Sequence, residues 1–366
     1  MGDSAEPVPL TIRCTRAFWY GLTRPHAGTA LAALGLALPG WLFLAASSTE
    51  ARVRATDTAR WLRNAEDGWC QLNAVAIQGA ARHAAKPGET VVLVGPSHLQ
   101  ALLPPGPALA DAFSRSRDGR PQRVVQLAAP ALNHEEMAAA VEKFGGDFDG
   151  WFVLTVNRHT LARDLRARDV VKNQGAMSLG FSSDLLNEER RRARLPVRAS
   201  WGVPLLDYPG FYLASLGGWR HALGRAPVFG ATGEYSAAPL RPVSMRQVEL
   251  ALPAHLPEAE ARNFGLLGRV AERLRAAGGA RLAVVEVPFA DEALLEIQTP
   301  RWRAQRAEFV RRREIWSREN DVPWLDTTAE LQLTAGDFTD PAHVGSPAAR
   351  IQFVKVVSRW LAGLKP

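Results

Sequence analysis

The chain has 366 residues, of which 47% are hydrophobic and 22% are charged, and its formal net charge is +7. This composition can bury a substantial core in one large domain, and it excludes a disordered or repeat protein. Cys14 and Cys70 are its two cysteines, so the chain has no disulfide framework that would indicate a redox compartment.

Residues 27–46 carry no charge, and a stretch of this length, about 20 residues, is what one helix needs to cross a bilayer. Arg13, Arg16 and Arg24 precede the stretch, and by the positive-inside rule they place residues 1–26 in the cytoplasm. We therefore expect a single-pass protein of the inner, cytoplasmic membrane whose main body is periplasmic.

Two other interpretations of this apolar stretch are weaker. A cleaved signal peptide is suggested by the small residues Ala45 and Ala46, but the long segment before the stretch favours an uncleaved anchor. A buried helix of a soluble protein is disfavoured by Gly35, Pro39 and Gly40, since these residues are poor helix formers in water and better tolerated in membrane spans.

The positive charge lies mostly beyond the anchor, because residues 1–46 hold three arginines against one aspartate and one glutamate. An extracytoplasmic location excludes nucleic acid as a partner. The remaining interpretations are anionic lipid head groups, a polyanionic glycan or simple solvation. For the charged runs at 188–192 and 311–313 we expect a solvated face.

After a mostly helical connector at 47–86, short apolar runs alternate with amphipathic segments, which predicts an α/β fold with a central parallel sheet of about five strands. The predicted strands are Thr90–Val94, Arg123–Leu127, Gly150–Val156, Arg281–Val287 and Val322–Leu325. The clearest predicted helices are His134–Phe144, Pro257–Ala277 with Gly278 and Gly279 as a C-cap, and Pro300–Asn320. A last helix begins with Ser346 as N-cap and Pro347, and is predicted to bury Ile351, Val354, Val357, Leu361 and Leu364.

The alternation breaks down over residues 160–256, a segment rich in aromatic side chains in which lysine and arginine outnumber acidic residues. We interpret it as an insertion that covers the mouth of the sheet, where ligands of open α/β folds bind. Aromatic rings and arginines together suit a sugar chain. A small hydrophobic subcore is an equal alternative.

Ser97 follows the first predicted strand and the turn Gly95-Pro96. At this place a serine lies at the carboxyl edge of the sheet with its backbone N–H free at the start of a helix, where a nucleophile and part of an oxyanion site can coincide. An ordinary N-cap is the alternative. The α/β-hydrolase elbow is not matched, because the second glycine is missing.

Asp340 and His343 stand in a proline-marked turn ahead of the last helix. A carboxylate and an imidazole at this spacing can pair while the ring faces outward, which provides a general base with its orienting group. Asn157 ends the central strand and could supply an amide to an oxyanion, although asparagine is also a common turn residue. His98, Asn133, His134 and Arg158 are candidate neighbours of the site with surface or capping roles as the default.

In order and placement, these pieces resemble the SGNH, or GDSL-like, hydrolase superfamily from Thr90 to the C-terminus, apart from the insertion. The resemblance implies a three-layer sandwich within a catalytic domain at 87–366. It implies Ser97 as nucleophile, His343 as general base and Asp340 as its orienting group, with Ser97, Ala131 and Asn157 forming the oxyanion hole. The serine block reads Gly-Pro-Ser-His instead of Gly-Asp-Ser-Leu, and Ala131 stands near where glycine is typical.

The anchor at 27–46 and the long insertion are similar in layout to DltD-like proteins and the alginate acetylation proteins. This similarity implies transfer of an acyl group, acetyl by preference, to or from an envelope or secreted polysaccharide beside a membrane-bound O-acyltransferase. The alternative is a catalytically inactive relative that binds polysaccharide or acts as a scaffold. No cofactor is indicated, and the histidines lack the paired spacing of metal ligands.

Overall fold

The structure is a computed structural model, and it describes residues 35, 37–40, 42, 90–103, 123–128, 134–145, 150–162, 184–192, 194, 257–294 and 298–364. The predicted connector at 47–86, most of the anchor at 27–46 and most of the insertion at 160–256 lie outside this part. Within it, none of the helices combines the length and the apolar character that a membrane crossing requires.

Five strands form one sheet in the order β2-β1-β3-β4-β5, and every neighbouring pair is parallel. The strands are β1 Thr90–Gly95, β2 Arg123–Ala128, β3 Gly150–Val156, β4 Arg281–Glu286 and β5 Trp324–Asp326. This is one of the two common orders of doubly wound α/β folds, in which ligands bind outside the carboxyl ends of the strands. The predicted parallel α/β sheet is therefore confirmed.

Residues 35, 37–40 and 42 are helical, and Ala335–Asp337 is a short 3-10 helix. The other helices of the described part are α1 Ser97–Leu102, α2 His134–Phe144, α3 Arg158–Leu161, α4 Asp184–Arg192, α5 Pro257–Ala277, α6 Ala290–Ala293, α7 Pro300–Asn320 and α8 Pro347–Gly363. The bounds predicted for α2, α5 and α7 are confirmed. Gly278 ends α5 with a φ of +66°, a left-handed conformation that glycine adopts without strain. The Ser346 side chain caps α8 by accepting the Ala349 N–H.

Alternate residues of each strand face opposite sides of the sheet, and each side has its own hydrophobic core. Val92 and Val94 pack on one side with α2, α5 and α7, while Val91 and Leu93 pack on the other with α1 and α8. The sheet is thus covered by helices on both faces, which leaves its carboxyl edge for polar side chains.

The inner face of α8 differs from the prediction. Val354, Val357 and Leu361 are buried as expected, but Ile351 is 56% exposed and Leu364 is half-buried. The buried stripe instead contains Ala349 and Phe353, four residues apart. Ile351 lies midway between these two along the helix, and at about 100° per residue this turns it to the solvent side.

Between α7 and α8 the chain forms a small antiparallel pair that was not predicted as strands. Phe338–Asp340 is β6 and His343–Val344 is β7, with Asp340 paired to His343. We call residues 338–344 the Asp340 hairpin. Its strands place Phe338 and Val344 in the core beside α1, so the hairpin is packed against the helix that carries Ser97.

Candidate active site

Ser97 is the first residue of α1, directly beyond the carboxyl end of β1. The N-cap position of this helix belongs to the extended residue Pro96, so Ser97 does not have the capping role considered as its alternative. Gly95 makes the close approach of strand and helix possible, because a Cβ at this position would collide with the Thr155 hydroxyl and lie 2.9 Å from Leu99 Cβ. The hydroxyl of Ser97 is thereby presented at the sheet edge.

The structure brings Ser97, His343 and Asp340 into one hydrogen-bonded series. His343 Nε2 lies 2.8 Å from Ser97 Oγ, and His343 Nδ1 lies 2.8 Å from Asp340 Oδ2 and 2.9 Å from Oδ1. With Nδ1–H donating to the carboxylate, the free lone pair of Nε2 faces the serine hydroxyl, as a general base requires. This geometry is the arrangement of an activated serine.

Asp340 is held as a carboxylate by the backbone of its own hairpin. Its Oδ1 accepts the N–H groups of Ala342 at 2.8 Å and of His343 at 3.0 Å. Burial acts to raise the pKa of Asp340, but the hydrogen bonds from the His343 ring and from these backbone groups outweigh it, and the pKa is lowered. The orienting group is therefore ionised at neutral pH.

A second imidazole, His98, stacks on the ring of His343. The rings of His98 and His343 are 4.9 Å apart and inclined by 20°, and the ring of Phe289 lies 5.8 Å from His98 on a tilt. Removal of its ring from water, together with the charge of His343, lowers the pKa of His98 to about 3. His98 is thus a neutral ring at neutral pH, and it packs against one face of His343.

Asn157 is fully buried at the carboxyl end of β3 and caps α3. Its Oδ1 accepts the Thr160 N–H at 2.7 Å, and Thr160 Oγ1 accepts the Asn157 N–H at 3.2 Å. Its amide nitrogen Nδ2 has no hydrogen-bond partner among the described residues. Because β1 and β3 are paired in parallel, Asn157 and Ser97 lie at the same edge of the sheet, and a buried unpaired amide N–H is suited to an oxyanion.

Other predicted residues fall into different places. Ala131 and Asn133 lie outside the described residues, so their predicted positions are not tested. His134 begins α2 and is buried, and this burial lowers its pKa to about 4. Arg158, expected at the surface, is instead 1% exposed.

Arg158 belongs to a buried network of charges at the carboxyl ends of β3, β4 and β5 that sequence analysis missed. Its guanidinium binds Asp291 at 2.7 Å and Glu292 at 3.1 Å. Arg306 bridges Glu292, Glu286 and Asp326, and Arg313 also binds Glu286 and Asp326. A usable signal existed, since Glu286 is the one charged residue in the otherwise apolar run Leu282–Val287.

The prediction that residues 311–313 form a solvated face is wrong for Arg313, which belongs to this network. Arg311 does lie at the surface, paired to Glu308, but only 12% of the Arg313 side chain is exposed because α7 turns it toward the strand ends. Arg312 is partly covered and pairs with the buried Glu260. For the other charged run, the exposed pair Arg192–Glu188 on α4 agrees with solvation.

Comparison of the chain with models of known protein families found no matching family. A comparison with curated proteins found no match either. Within the part of the chain that the structure describes, no cluster of histidine, cysteine, aspartate and glutamate side chains could hold a metal ion.

Proposed function

We propose that this protein is a serine O-acyltransferase or esterase that acts on acyl groups, acetyl by preference, of an envelope or secreted polysaccharide. The observation that carries the proposal is the series Ser97–His343–Asp340, with 2.8 Å between the serine oxygen and the imidazole nitrogen. A serine in this setting is a covalent nucleophile. The parallel sheet with the serine at the end of β1 supports membership of the SGNH superfamily.

The first half of the reaction acylates the enzyme. Ser97 Oγ attacks the carbonyl carbon of an ester donor while its proton passes to His343 Nε2, and the resulting imidazolium is stabilised by Asp340. Negative charge then develops on the former carbonyl oxygen, where the Ser97 backbone N–H and the Asn157 amide are the proposed donors. Collapse of this intermediate breaks the bond to the donor alcohol, which leaves with the proton from His343.

The second half returns the enzyme to its resting state. A hydroxyl group of the acceptor gives its proton to His343 and attacks the acyl-serine carbonyl, and Ser97 leaves with that proton. A sugar hydroxyl makes the reaction an acyl transfer, whereas water makes it a hydrolysis. Exclusion of water from the acyl-serine decides between the two outcomes.

Location and partners belong to the same proposal. The uncharged stretch at 27–46 supports a single membrane span with the catalytic domain in the periplasm. A donor acyl group would then reach Ser97 from a membrane-bound O-acyltransferase, and the acceptor would be a polysaccharide chain. No cofactor takes part in the chemistry proposed for these residues.

The decisive experiment is labelling of the purified full chain with a fluorophosphonate, with the modified residue located by peptide mass spectrometry. We expect label on Ser97, and we expect Ser97→Ala and His343→Ala to abolish it. Ser317→Ala is the matched control, because the Ser317 hydroxyl donates to the Val322 carbonyl, away from the candidate site. Labelling of Ser97 should be unchanged in this variant. An unlabelled Ser97 in a folded protein would contradict the proposal and favour a binding or scaffold role.

Acyl transfer is then separated from hydrolysis with p-nitrophenyl acetate as the donor. Release of p-nitrophenol is measured with and without an oligosaccharide as the acyl acceptor. The mass of the oligosaccharide is then determined by mass spectrometry. A gain of one acetyl group that depends on Ser97 supports transferase activity. Release of p-nitrophenol that depends on Ser97, with an unmodified oligosaccharide, identifies an esterase toward these substrates.

A further inference from the structure

The segment that follows β4 contacts the candidate site from two sides. We call residues 287–294 the buttress segment. At its start the Val287 N–H donates to the Val156 carbonyl at 2.8 Å, next to Asn157. At its middle the Ala290 N–H donates to the Pro341 carbonyl at 2.9 Å, inside the Asp340 hairpin. The segment therefore joins the end of β3 to the hairpin that carries Asp340 and His343.

Side chains of the buttress segment make a second connection to His343. Phe289 contacts His98, whose ring stacks on His343, and on its other side Phe289 lies 4.7 Å from the ring of His159. His159 Nε2 in turn lies 2.8 Å from Asp291 Oδ1. A series of ring contacts, one stacked and two tilted, thus runs from His343 to an aspartate of the buttress segment.

Arg158 holds this segment in place. It immediately follows Asn157, and its guanidinium donates to Asp291 Oδ2 at 2.7 Å and to Glu292 Oε1 at 3.1 Å. All three side chains are at most 1% exposed. The guanidinium therefore links the start of α3, directly after Asn157, to both acidic residues of the buttress segment. It does so with the planar fork of donors that arginine has and lysine lacks.

Stability alone does not account for a buried arginine at this position. Removing a guanidinium and two carboxylates from water costs several kcal/mol per ion, and well-packed apolar residues commonly replace such clusters without loss of stability. What an apolar replacement cannot supply is a directional connection between two chain segments.

We propose that Arg158 is a positioning residue for the acyl transfer reaction. Through its bonds to Asp291 and Glu292, Arg158 fixes the position of the buttress segment. Through the hydrogen bond between Ala290 and Pro341 and the series of ring contacts, the segment then fixes the orientation of His343 relative to Ser97. Arg158 acts through other residues and touches no reacting atom. This inference rests on the function proposed above for Ser97.

The test compares Arg158→Gln with Arg313→Gln in the purified full chain. Both variants remove a guanidinium from the same network. Arg313, 12% exposed, pairs with Glu286 and Asp326, and among the described residues it makes no hydrogen bond or ion pair with residues 287–294. We expect the second-order rate of fluorophosphonate labelling at Ser97 to fall about 10²-fold in Arg158→Gln, as for a misplaced catalytic group, and less than threefold in Arg313→Gln. Both are expected to lower the Tm.

A second measurement does not depend on activity. An imidazole Nδ1 proton bonded to a carboxylate gives a far-downfield proton NMR signal, which is assigned to His343 by its loss in His343→Gln. We expect this signal to shift or disappear in Arg158→Gln and to remain in Arg313→Gln. Arg158→Lys, which keeps the charge and loses the fork, should impair the signal as well, and it serves if the glutamine variant does not fold.

The outcomes separate the two proposals. If wild-type Ser97 takes no label, the proposed function fails, but a His343 signal that changes with Arg158 still supports the positioning role. An unchanged signal and an unchanged labelling rate in Arg158→Gln would overturn that role. Equal losses of labelling rate in Arg158→Gln and Arg313→Gln, following the loss of Tm, would overturn it too.

Discussion

His343 Nε2 lies 2.8 Å from the hydroxyl of Ser97, although 246 positions separate the two residues in the chain. The contact follows from two local placements. Ser97 begins a helix at the carboxyl end of β1, and the Asp340 hairpin packs its apolar residues against that same helix. Because the carboxyl ends of parallel strands meet at one edge of the sheet, both groups lie at that edge.

Asp340→Asn tests the orientation of the general base. The amide keeps an oxygen for the backbone N–H groups of Ala342 and His343, but it presents N–H to His343 Nδ1 and favours the tautomer that carries its proton on Nε2. We expect the rate of acylation to fall about 10⁴-fold, as for the same change in serine protease triads, with little loss of Tm.

The measurement is the pre-steady-state acylation rate with p-nitrophenyl acetate at pH 7.5. Asp337→Asn is a useful control, because Asp337 is also a hairpin-proximal carboxylate that accepts the Thr334 backbone N–H at 2.8 Å but has no contact with His343. A rate in Asp340→Asn within tenfold of wild type would remove Asp340 from the proposed mechanism.

Asn157 is predicted to have two separable roles. Its Oδ1 caps α3, while its unpaired Nδ2 is the proposed oxyanion donor. Asn157→Ser keeps a capping oxygen and loses the amide, and Asn157→Ala loses both. We expect both variants to lower turnover about 10²-fold, and the alanine variant to lose about 1 kcal/mol more of the free energy of unfolding.

Turnover and urea unfolding are measured on the same preparations of the two Asn157 variants. Equal turnover in wild type and Asn157→Ser would exclude the amide as an oxyanion donor. A low turnover in the alanine variant alone would assign the effect to the cap, and therefore to the local structure of α3.

Much of the fold follows from local sequence signals. The Val- and Leu-rich runs bounded by glycine or proline place all five strands to within two residues. The signal is strongest for β1 and β3, because a strand that is buried on both faces needs a nearly uninterrupted apolar run. Ser97, Asp340 and His343 are also predictable, since each stands beside a marked boundary: the Gly95-Pro96 turn or the Asp340-Pro341 turn.

The buried charges could not be predicted in the same way. In the sequence, Arg158 and Arg313 look like surface residues. A charged side chain is buried only when partners neutralise it, and here these partners are distant in the chain and cannot be recognised from the neighbouring sequence. Those partners, Asp291, Glu292 and Glu286, come from β4 and the segment after it. The error for Ile351 has a similar origin, since the side of α8 that faces the sheet depends on how that helix docks.

His98→Phe is expected to make the protein less sensitive to acid. The pKa of His98 is lowered to about 3, so the folded protein binds its proton less readily than the unfolded chain does. The neutral ring therefore stabilises the fold above about pH 6.5, and this stabilisation is lost as the pH falls toward 3. Phenylalanine keeps the stacked ring against His343 and has no proton to bind.

The free energy of unfolding of wild type and His98→Phe is measured by urea titration from pH 4 to pH 8. We expect the wild type to lose stability relative to the variant as the pH falls below 6.5, while labelling of Ser97 at pH 7.5 stays within about threefold. A difference in stability that does not vary with pH would show that His98 titrates normally in the folded protein.

Gly95→Ala should displace the nucleophile. A methyl group at this position meets the Thr155 side chain and lies 2.9 Å from Leu99 Cβ, so α1 must move away from β1. We expect a loss of about 1–3 kcal/mol of unfolding free energy, typical of overpacking, and slower labelling of Ser97.

The control is Gly265→Ala in α5, where the nearest atom is Arg269 Nη1 at 3.5 Å and helix propensity predicts a gain of up to about 1 kcal/mol in unfolding free energy. Wild-type stability and labelling in Gly95→Ala would contradict this account of the strand-to-helix turn.

The buried network predicts a pH dependence of the opposite sign to that of His98. Three guanidinium groups, Arg158, Arg306 and Arg313, face four carboxyl groups, those of Glu286, Asp291, Glu292 and Asp326, so these seven groups carry one excess negative charge when all are ionised. The ring of His159 also lies 2.8 Å from Asp291. Burial, reinforced by Glu292 and Asp326 and opposed by Arg306, raises the pKa of Glu286 to about 7. The folded protein therefore binds a proton on Glu286 more readily than the unfolded chain does, and this linkage stabilises the fold fully below about pH 4.5.

That stabilisation is lost as the pH rises through 7, so the wild type should lose stability relative to Glu286→Gln between pH 5 and pH 8. Glutamine reproduces the uncharged form of Glu286 and makes this part of the stability independent of pH. The control is Glu308→Gln on α7, because the hydrogen bond from Arg311 lowers the pKa of the exposed Glu308 and keeps it ionised over the whole range. Urea unfolding of the three proteins at four pH values gives the comparison. The prediction is wrong if the difference in unfolding free energy between wild type and Glu286→Gln varies with pH no more than the difference between wild type and Glu308→Gln. In that case Glu286 is ionised in the folded protein, and the excess charge must be neutralised elsewhere in the network.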